Sequence, residues 1–347
     1  MKSIILIFFI GICTLVRAQL TIKLYDDKTY INKLEKQFND ANNDSIKGYT
    51  ALKLAYAYKR AKNLPKAQQF FKNGALLSKN NSFLKAVSYY YQAYILMGDP
   101  NIKIIEENFK KSDSLLSRFP YPEAYKIRSS AWLGLGVLEQ MKGSEQKGLD
   151  AYINHALPLA KKSGNNFIMA NVNKFIGISM MNITERVKAN KYLEEGLRLF
   201  EKSSPESEAM KKEAIIELSI YLIENNVYLN NLEKAKTYLD KAYTILKNYP
   251  KSNAFLFYYY SEGIYYQHMK QYQNAINSFD KGIALATGGI ENYYVNRMKY
   301  AKFELLRGQN KNQEAIIVMQ ELLKSPLLWI KIIIIIYWRK PMPRMEI

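Results

Sequence analysis

Residues 263–282 read GIYYQHMKQYQNAINSFDKG, and the placing of their small and large residues decides the fold. Gly263, Tyr266, Ala275, Phe279 and Gly282 follow one another at intervals of three, nine, four and three, a helical period interrupted by the polar turn around Lys270. Such spacing reads as two short runs of helical period joined by a polar turn. The same five positions recur as Ala55, Tyr58, Ala67, Phe71 and Gly74, and again as Gly177, Met180, Ala189, Leu193 and Gly196. The second half alone returns as Ala235, Leu239, Ala242 and as Ala315, Met319, Leu322, so that Ala235, Ala275 and Ala315 stand 40 residues apart. Degenerate copies fall around Tyr94 to Ser112, with Ile105 and Phe109, and around Gly134 to Ala156, with Gly148 and Tyr152. Anchored at Tyr94 and Gly134, these two need an insertion of about two residues between their helices.

This pattern resembles the tetratricopeptide repeat, whose units are longer here than the family's minimal 34 residues. The resemblance implies an all-α fold, a right-handed superhelical solenoid of antiparallel helix pairs, with Ala67, Gly177, Ala189, Ala235, Gly263 and Ala275 at close helix contacts. A generic helical solenoid of the HEAT type is the alternative. The expected layout is a leading helix or cap over 19–47, about seven repeats over 48–326 and an aberrant tail over 327–347. Proteins of this family bind extended peptides or partner helices along a concave face lined by each unit's first helix. The residues there that are spare to the packing pattern are Tyr56, Arg60, Lys85, Gln92, Arg128, Asn171, Lys174, Tyr260, Gln267, His268 and Arg297. Replacing Tyr56, Arg128 or Tyr260 is therefore expected to weaken binding with little loss of stability. The family's carboxylate clamp pairs Lys with Asn one turn apart. Lys174 is suitably placed, but Ile178 stands where the Asn belongs.

Composition agrees with a helical repeat. The chain has 347 residues, 48% of them hydrophobic, with 16 Gly and 10 Pro, too apolar for disorder and too poor in turn formers for a sandwich or barrel. Residues 1–18 join Lys2, an apolar run from Ile4 to Val16, and Val16 and Ala18 before Gln19, the layout of a secretory signal peptide. A lipoprotein signal around Cys13 is the competing reading, against which Ile12 occupies the place of a small residue. With cleavage expected after Ala18 the sole cysteine leaves with the secretory signal, so on that reading the mature chain has no disulfide or thiolate chemistry.

The residues for catalysis are sparse. His155 and His268 each stand alone, without metal-ligand spacing, and Gly134-Leu135-Gly136 lacks the third glycine of a phosphate loop. No enzyme activity, cofactor or metal is expected. Scattered acids among lysines read as solvated, salt-bridged helix faces. The net charge of +19 is spread along the chain without a cluster, which reads as a Lys-rich solenoid surface, and export argues against nucleic acid; the resemblance implies a protein or peptide as partner.

The tail contradicts its own context. Leu327 to Trp338 is apolar apart from Lys331 and precedes a basic stretch from Arg339 to Arg344, but 12 residues of helix reach about 18 Å against about 30 Å of hydrocarbon. Read one base out of frame, the slots of Trp338, Arg339, Met342 and Pro343 permit Leu-Ala-x-x-Tyr-Ala, the start of another repeat. Sequence from about Ile330 onward is thus expected to be out of frame. The signal and repeats resemble the periplasmic sensor part of Bacteroidetes-type helix-turn-helix regulators or histidine kinases, which continue into a transmembrane helix and an output domain. Any membrane attachment would lie in that missing segment. A freestanding periplasmic scaffold for envelope assembly is the second expectation.

Overall fold

The computed structural model describes Leu24 and residues 28–204, 207–286 and 291–323. The signal-peptide stretch and the tail from residue 327 lie outside the described residues. Within them the chain is helical and holds no strand. A leading helix, α1 (Lys28–Asp40), precedes successive antiparallel pairs. These are α2 (Asp44–Arg60) with α3 (Leu64–Leu77), α4 (Ser82–Leu96) with α5 (Ile102–Leu116), and α6 (Pro122–Met141) with a second helix in three parts. Those parts are α7 (Glu145–Asp150), a π-helical segment (Ala151–Ala156) and α8 (Leu157–Ser163). There follow α9 (Asn166–Asn182) with α10 (Arg186–Lys202), α11 (Glu208–Tyr228) with α12 (Leu232–Leu246), α13 (Ala254–His268) with α14 (Tyr272–Ala284), and α15 (Glu291–Gly308) with α16 (Asn312–Leu323). The helices fall into two compact units that divide within α11, one reaching Leu218 and the other beginning at Ser219. No helix of the described residues is long and apolar enough to cross a membrane.

One turn joins the two helices of nearly every pair. After the first helix a residue enters the left-handed region: Lys62, Gly143, Thr184, Asn230, Lys270 or Asn310. The next N–H returns to a carbonyl five residues back, as in Asn63 to Tyr58 (2.9 Å), Glu185 to Met180 (2.8 Å) and Gln271 to Tyr266 (2.9 Å). This is the Schellman closure, which satisfies carbonyls that a helix end leaves open. Thr184 is a β-branched residue at φ 66, where side chains crowd the following carbonyl. Thr184→Gly should raise stability by about 1 kcal/mol in urea unfolding, since relief of that crowding outweighs the added chain entropy. A lower stability would show that the turn is relaxed as it stands.

The small residues sit at the closest helix contacts, and Ala67, Ala189, Ala235 and Ala275 are wholly buried. A Cβ on Gly263 would lie 2.2 Å from the Phe279 ring, and one on Gly177 would lie 2.6 Å from Leu193. The register of the two degenerate copies is corrected by the same test. A Cβ on Gly136 would meet Tyr152 at 2.1 Å, so Gly136, Gly148 and Tyr152 keep the spacing of residues 263–282 without any insertion. Ala93, Ile105 and Phe109 keep it too. Gly134 misled the sequence reading because it is small for another reason: it receives Phe109 from the preceding pair, whose ring would lie 2.4 Å from an added Cβ. Gly136→Ala should therefore cost about 1–3 kcal/mol, read as a lowered urea midpoint, because the wholly buried Tyr152 has no free space to retreat into. An unchanged midpoint would contradict this packing.

The π-helical segment has an identifiable cause. Pro158 has no N–H and its ring crowds the carbonyl four residues earlier, so the Leu157 N–H reaches back five residues to Tyr152. Within the segment the His155 ring stacks on Trp132 at 3.8 Å, and the Ser129 hydroxyl donates to the Ala156 carbonyl at 2.9 Å. His155 is thereby a packing residue.

Candidate functional site

The first helices of the unit ending at Leu218 enclose a small cavity of about 140 Å³. Its wall draws on α1 (Tyr30), α2 (Lys53, Tyr56), α4 (Tyr90, Tyr91), α6 (Lys126, Ser130), α9 (Phe167, Ile168) and α11 (Met210). A second, more open cavity of about 510 Å³ shares Lys53 and is lined by Tyr49, Phe83, Phe119 and Tyr121, near the starts of α2, α4 and α6. The aromatic residues hold one another in place: Tyr56 lies 4.4 Å from Tyr94 and 6.5 Å from Tyr91, and Tyr90 lies 5.2 Å from Tyr91. Tyr90 and Tyr91 of α4 were not singled out in the sequence, and Tyr94 was read only as the start of a repeat, although an aromatic run in a first helix is a visible signal.

The sequence candidates take different places. Tyr56 lines the smaller cavity. Arg60, one turn on, pairs with Glu213 of α11 at 2.8 Å. Arg128 is drawn to Asp113 of α5 at 2.7 Å, so it ties one pair to the next. Lys174 is buried and pairs with Glu217 of α11 at 2.7 Å, which commits the one residue suited to a carboxylate clamp. Asn171 donates to its own helix at the Phe167 carbonyl, Gln92 is half-buried, and Lys85 is exposed. In the second unit Tyr260 is only 2% exposed, Gln267 is half-buried, and the exposed His268 meets the Ile264 carbonyl through Nδ1. Arg297 lies over the Tyr260 ring at 5.0 Å and over Tyr293 at 5.7 Å. The structure thus brings Tyr260 and Arg297 together, while Arg128 and Tyr260 carry packing that the sequence reading assigned to a groove.

Helix α11 overturns the expectation that the acids are solvated. Glu213, Glu217 and Glu224 are buried at 6%, 7% and 5% exposure, in a stretch whose other residues are Ile, Leu and Tyr with Ala214 and Ser219. Their spacing of four and seven puts all three on one helical face. A carboxylate there needs a base, and Arg60 and Lys174 supply it for the first two. One oxygen of Glu217, Oε1, has no hydrogen-bond partner. The signal was present in the sequence as acids at one-face spacing inside an apolar run.

The buried tyrosines make the fold sensitive to alkali. Burial pushes the hydroxyls of Tyr90, Tyr94, Tyr152, Tyr260 and Tyr294 above their usual range, and neighbouring Tyr56, Glu145 and Glu224 add to the effect. In the unfolded chain these groups ionise near pH 10, so above that pH the unfolded state binds fewer protons than the folded one and stability falls. The expected loss is about 1.4 kcal/mol per pH unit for each tyrosine still protonated in the fold. Tyrosinate absorbance should rise in two stages, the second coinciding with loss of helical signal. Complete ionisation without unfolding would contradict it.

Comparison with solved structures places the fold. The chain is similar to the apo form of RapI, with a TM-score of 0.54 and 16% identity over 78% of this chain and 94% of that one. It is similar to the APC/C hetero-tetramer Cut9–Hcn1, with a TM-score of 0.62 and 15% identity over 90% of this chain but 51% of that one. A Rap protein complexed with competence and sporulation factor aligns with a TM-score of 0.53 and 12% identity, over 84% and 78% of the two chains. No family model and no curated protein matches the sequence. At these identities the likeness is one of fold, and the fold is that of a tetratricopeptide-like helical-repeat solenoid, an architecture typical of protein-interaction modules.

Proposed function

We propose that this chain is a non-catalytic protein- or peptide-binding module whose ligand lies along the first helices of the unit ending at Leu218. The observation that supports it is the tyrosine-walled cavity, to which α1, α2, α4, α6, α9 and α11 all contribute. A wall assembled from successive repeats suits an extended ligand that touches each in turn, and tyrosine supplies contact area at low entropic cost. That a Rap protein of similar fold forms a complex with competence and sporulation factor favours a peptide-like occupant. With the export-type leader, the reading extends to the extracytoplasmic sensor part of a signalling protein. A freestanding scaffold for envelope assembly is the second reading.

A photo-crosslinking amino acid at Tyr56, in cells that produce the chain, should capture a discrete polypeptide that the same group at exposed Lys85 does not. Crosslinks equal at both positions would count against the cavity as the binding site. Residues 1–18 fused to a leaderless alkaline phosphatase should give active enzyme outside the cytoplasm. An inactive fusion would remove the exported sensor and the envelope scaffold alike.

A further inference from the structure

We propose that a tyrosine-lined cleft in the unit beginning at Ser219 is a second binding site, one that takes the guanidinium group of an arginine side chain on a partner polypeptide. It is built on other helices than the cavity above and does not rest on that reading. Its volume is about 270 Å³, just under the roughly 300–1,000 Å³ of small-molecule pockets, which suits a single long side chain. The wall holds Tyr243 of α12 and Tyr258, Tyr259, Tyr265 and Tyr266 of α13. Along α13, Tyr258 and Tyr259 precede Glu262 by about one turn, and Tyr265 and Tyr266 follow it by the same, so the rings stand around one carboxylate.

Glu262 is the group that calls for a cation. Its Oε1 accepts from the Tyr258 hydroxyl at 3.0 Å and its Oε2 from the Ser278 hydroxyl of α14 at 2.7 Å. Both donors are neutral, and among the described residues no Lys, Arg or His forms an ion pair with it. A carboxylate can accept about four hydrogen bonds, so acceptor positions remain. The charges of the lining balance in number but not in place: Lys236 is drawn to Asp240 one turn on along α12, and the Lys281 ammonium of α14 stands over the Tyr259 ring at 5.6 Å. Burial, and after it the charge of Glu262, pushes the hydroxyls of Tyr258, Tyr259 and Tyr266 above their usual range, so the field at these rings is that of a carboxylate.

A guanidinium answers each part of this wall. It is planar and weakly hydrated, stacks on aromatic rings, and carries five N–H donors for carboxylate and hydroxyl oxygens. The hydroxyls of Tyr243, Tyr259 and Tyr266 make no hydrogen bond among the described residues and supply acceptors beside Glu262. The same unit already seats one guanidinium in this manner, Arg297 lying over the rings of Tyr260 at 5.0 Å and Tyr293 at 5.7 Å.

The test uses the full chain and a blocked pentapeptide, acetyl-Gly-Gly-Arg-Gly-Gly-amide, beside the same peptide with citrulline, a neutral group of nearly the same shape, in place of arginine. Binding is read from broadening of the peptide's NMR signals. The arginine peptide should bind at least about tenfold more tightly, the factor for a charge-assisted hydrogen bond. Glu262→Gln should remove that difference with helical content unchanged. Tyr259→Leu should weaken binding about threefold and Tyr259→Phe should keep most of it, since the ring carries the contact. Lys281→Met should tighten binding about threefold by taking a like charge from the rim. Tyr56→Ala, at the other cavity, should change nothing. Equal binding of the two peptides, or a preference that survives Glu262→Gln, overturns the proposal. Weaker binding by Lys281→Met overturns it as well, because the cleft would then favour an anion. Should Glu262→Gln lose helical content, the Tyr259 and Lys281 variants decide. Free arginine that binds more tightly than the blocked peptide overturns the polypeptide origin of the ligand.

Discussion

Phe279→Ala should destabilise the helix pair α13–α14 by about 3–5 kcal/mol, the range for emptying a fully buried aromatic site. The side chain is wholly buried, and its ring lies where a Cβ on Gly263 would be only 2.2 Å away. Because Gly263 has no side chain to swing into the vacated space, the site cannot collapse and the cavity term remains large. The equivalent position in another pair holds Leu193 against Gly177, which indicates how a smaller apolar group can be seated there. Phe279→Leu should therefore cost far less, about 1–1.5 kcal/mol. In a repeat protein the loss appears first as local opening, so hydrogen exchange over residues 254–284 is the sensitive readout, with urea unfolding of the whole chain beside it. Equal effects of Ala and Leu, or a loss below about 1 kcal/mol for Ala, would mean that Phe279 is not the plug of this contact.

The fold was legible because its contacts are local. Gly263 and Phe279 are 16 residues apart, as are Gly136 and Tyr152, so each close approach leaves its mark within one short stretch. The pattern misled only where a residue served the preceding pair: Gly134, read as the anchor of its own repeat, is the seat of Phe109. The surroundings of the cavity were less legible for the opposite reason. Arg60 meets Glu213 across 153 positions, and Lys174 meets Glu217 across 43, so no short stretch of sequence contains both partners. Tyr56 could be placed on the lining by its helical position alone. Whether a polar residue on that face stays open, as at Lys85, or is claimed by a neighbouring helix, as with Arg128 and Asp113, depends on contacts that periodicity does not encode.

Lys174→Met should cost about 3–5 kcal/mol, because it leaves a buried carboxylate without its counter-charge. Lys174 is 4% exposed and Glu217 7%, and their ionic contact is 2.7 Å. One Glu217 oxygen already lacks a partner, so loss of Lys174 would leave the other without its ion pair in surroundings that solvate charge poorly. The ion pair itself need not contribute much net stability, since both groups were stripped of water to form it. The double variant Lys174→Met, Glu217→Leu should therefore return to within about 1 kcal/mol of the parent, a strongly non-additive cycle in urea unfolding. Additive losses, with the double variant worse than either single one, would show instead that the pair stabilises the fold directly. A double variant that folds normally but no longer gives the crosslink from Tyr56 would give the two charges a different standing. They would then be kept for the shape and field they impose on α9 and α11, at the wall where Tyr56 and Lys126 face the same cavity.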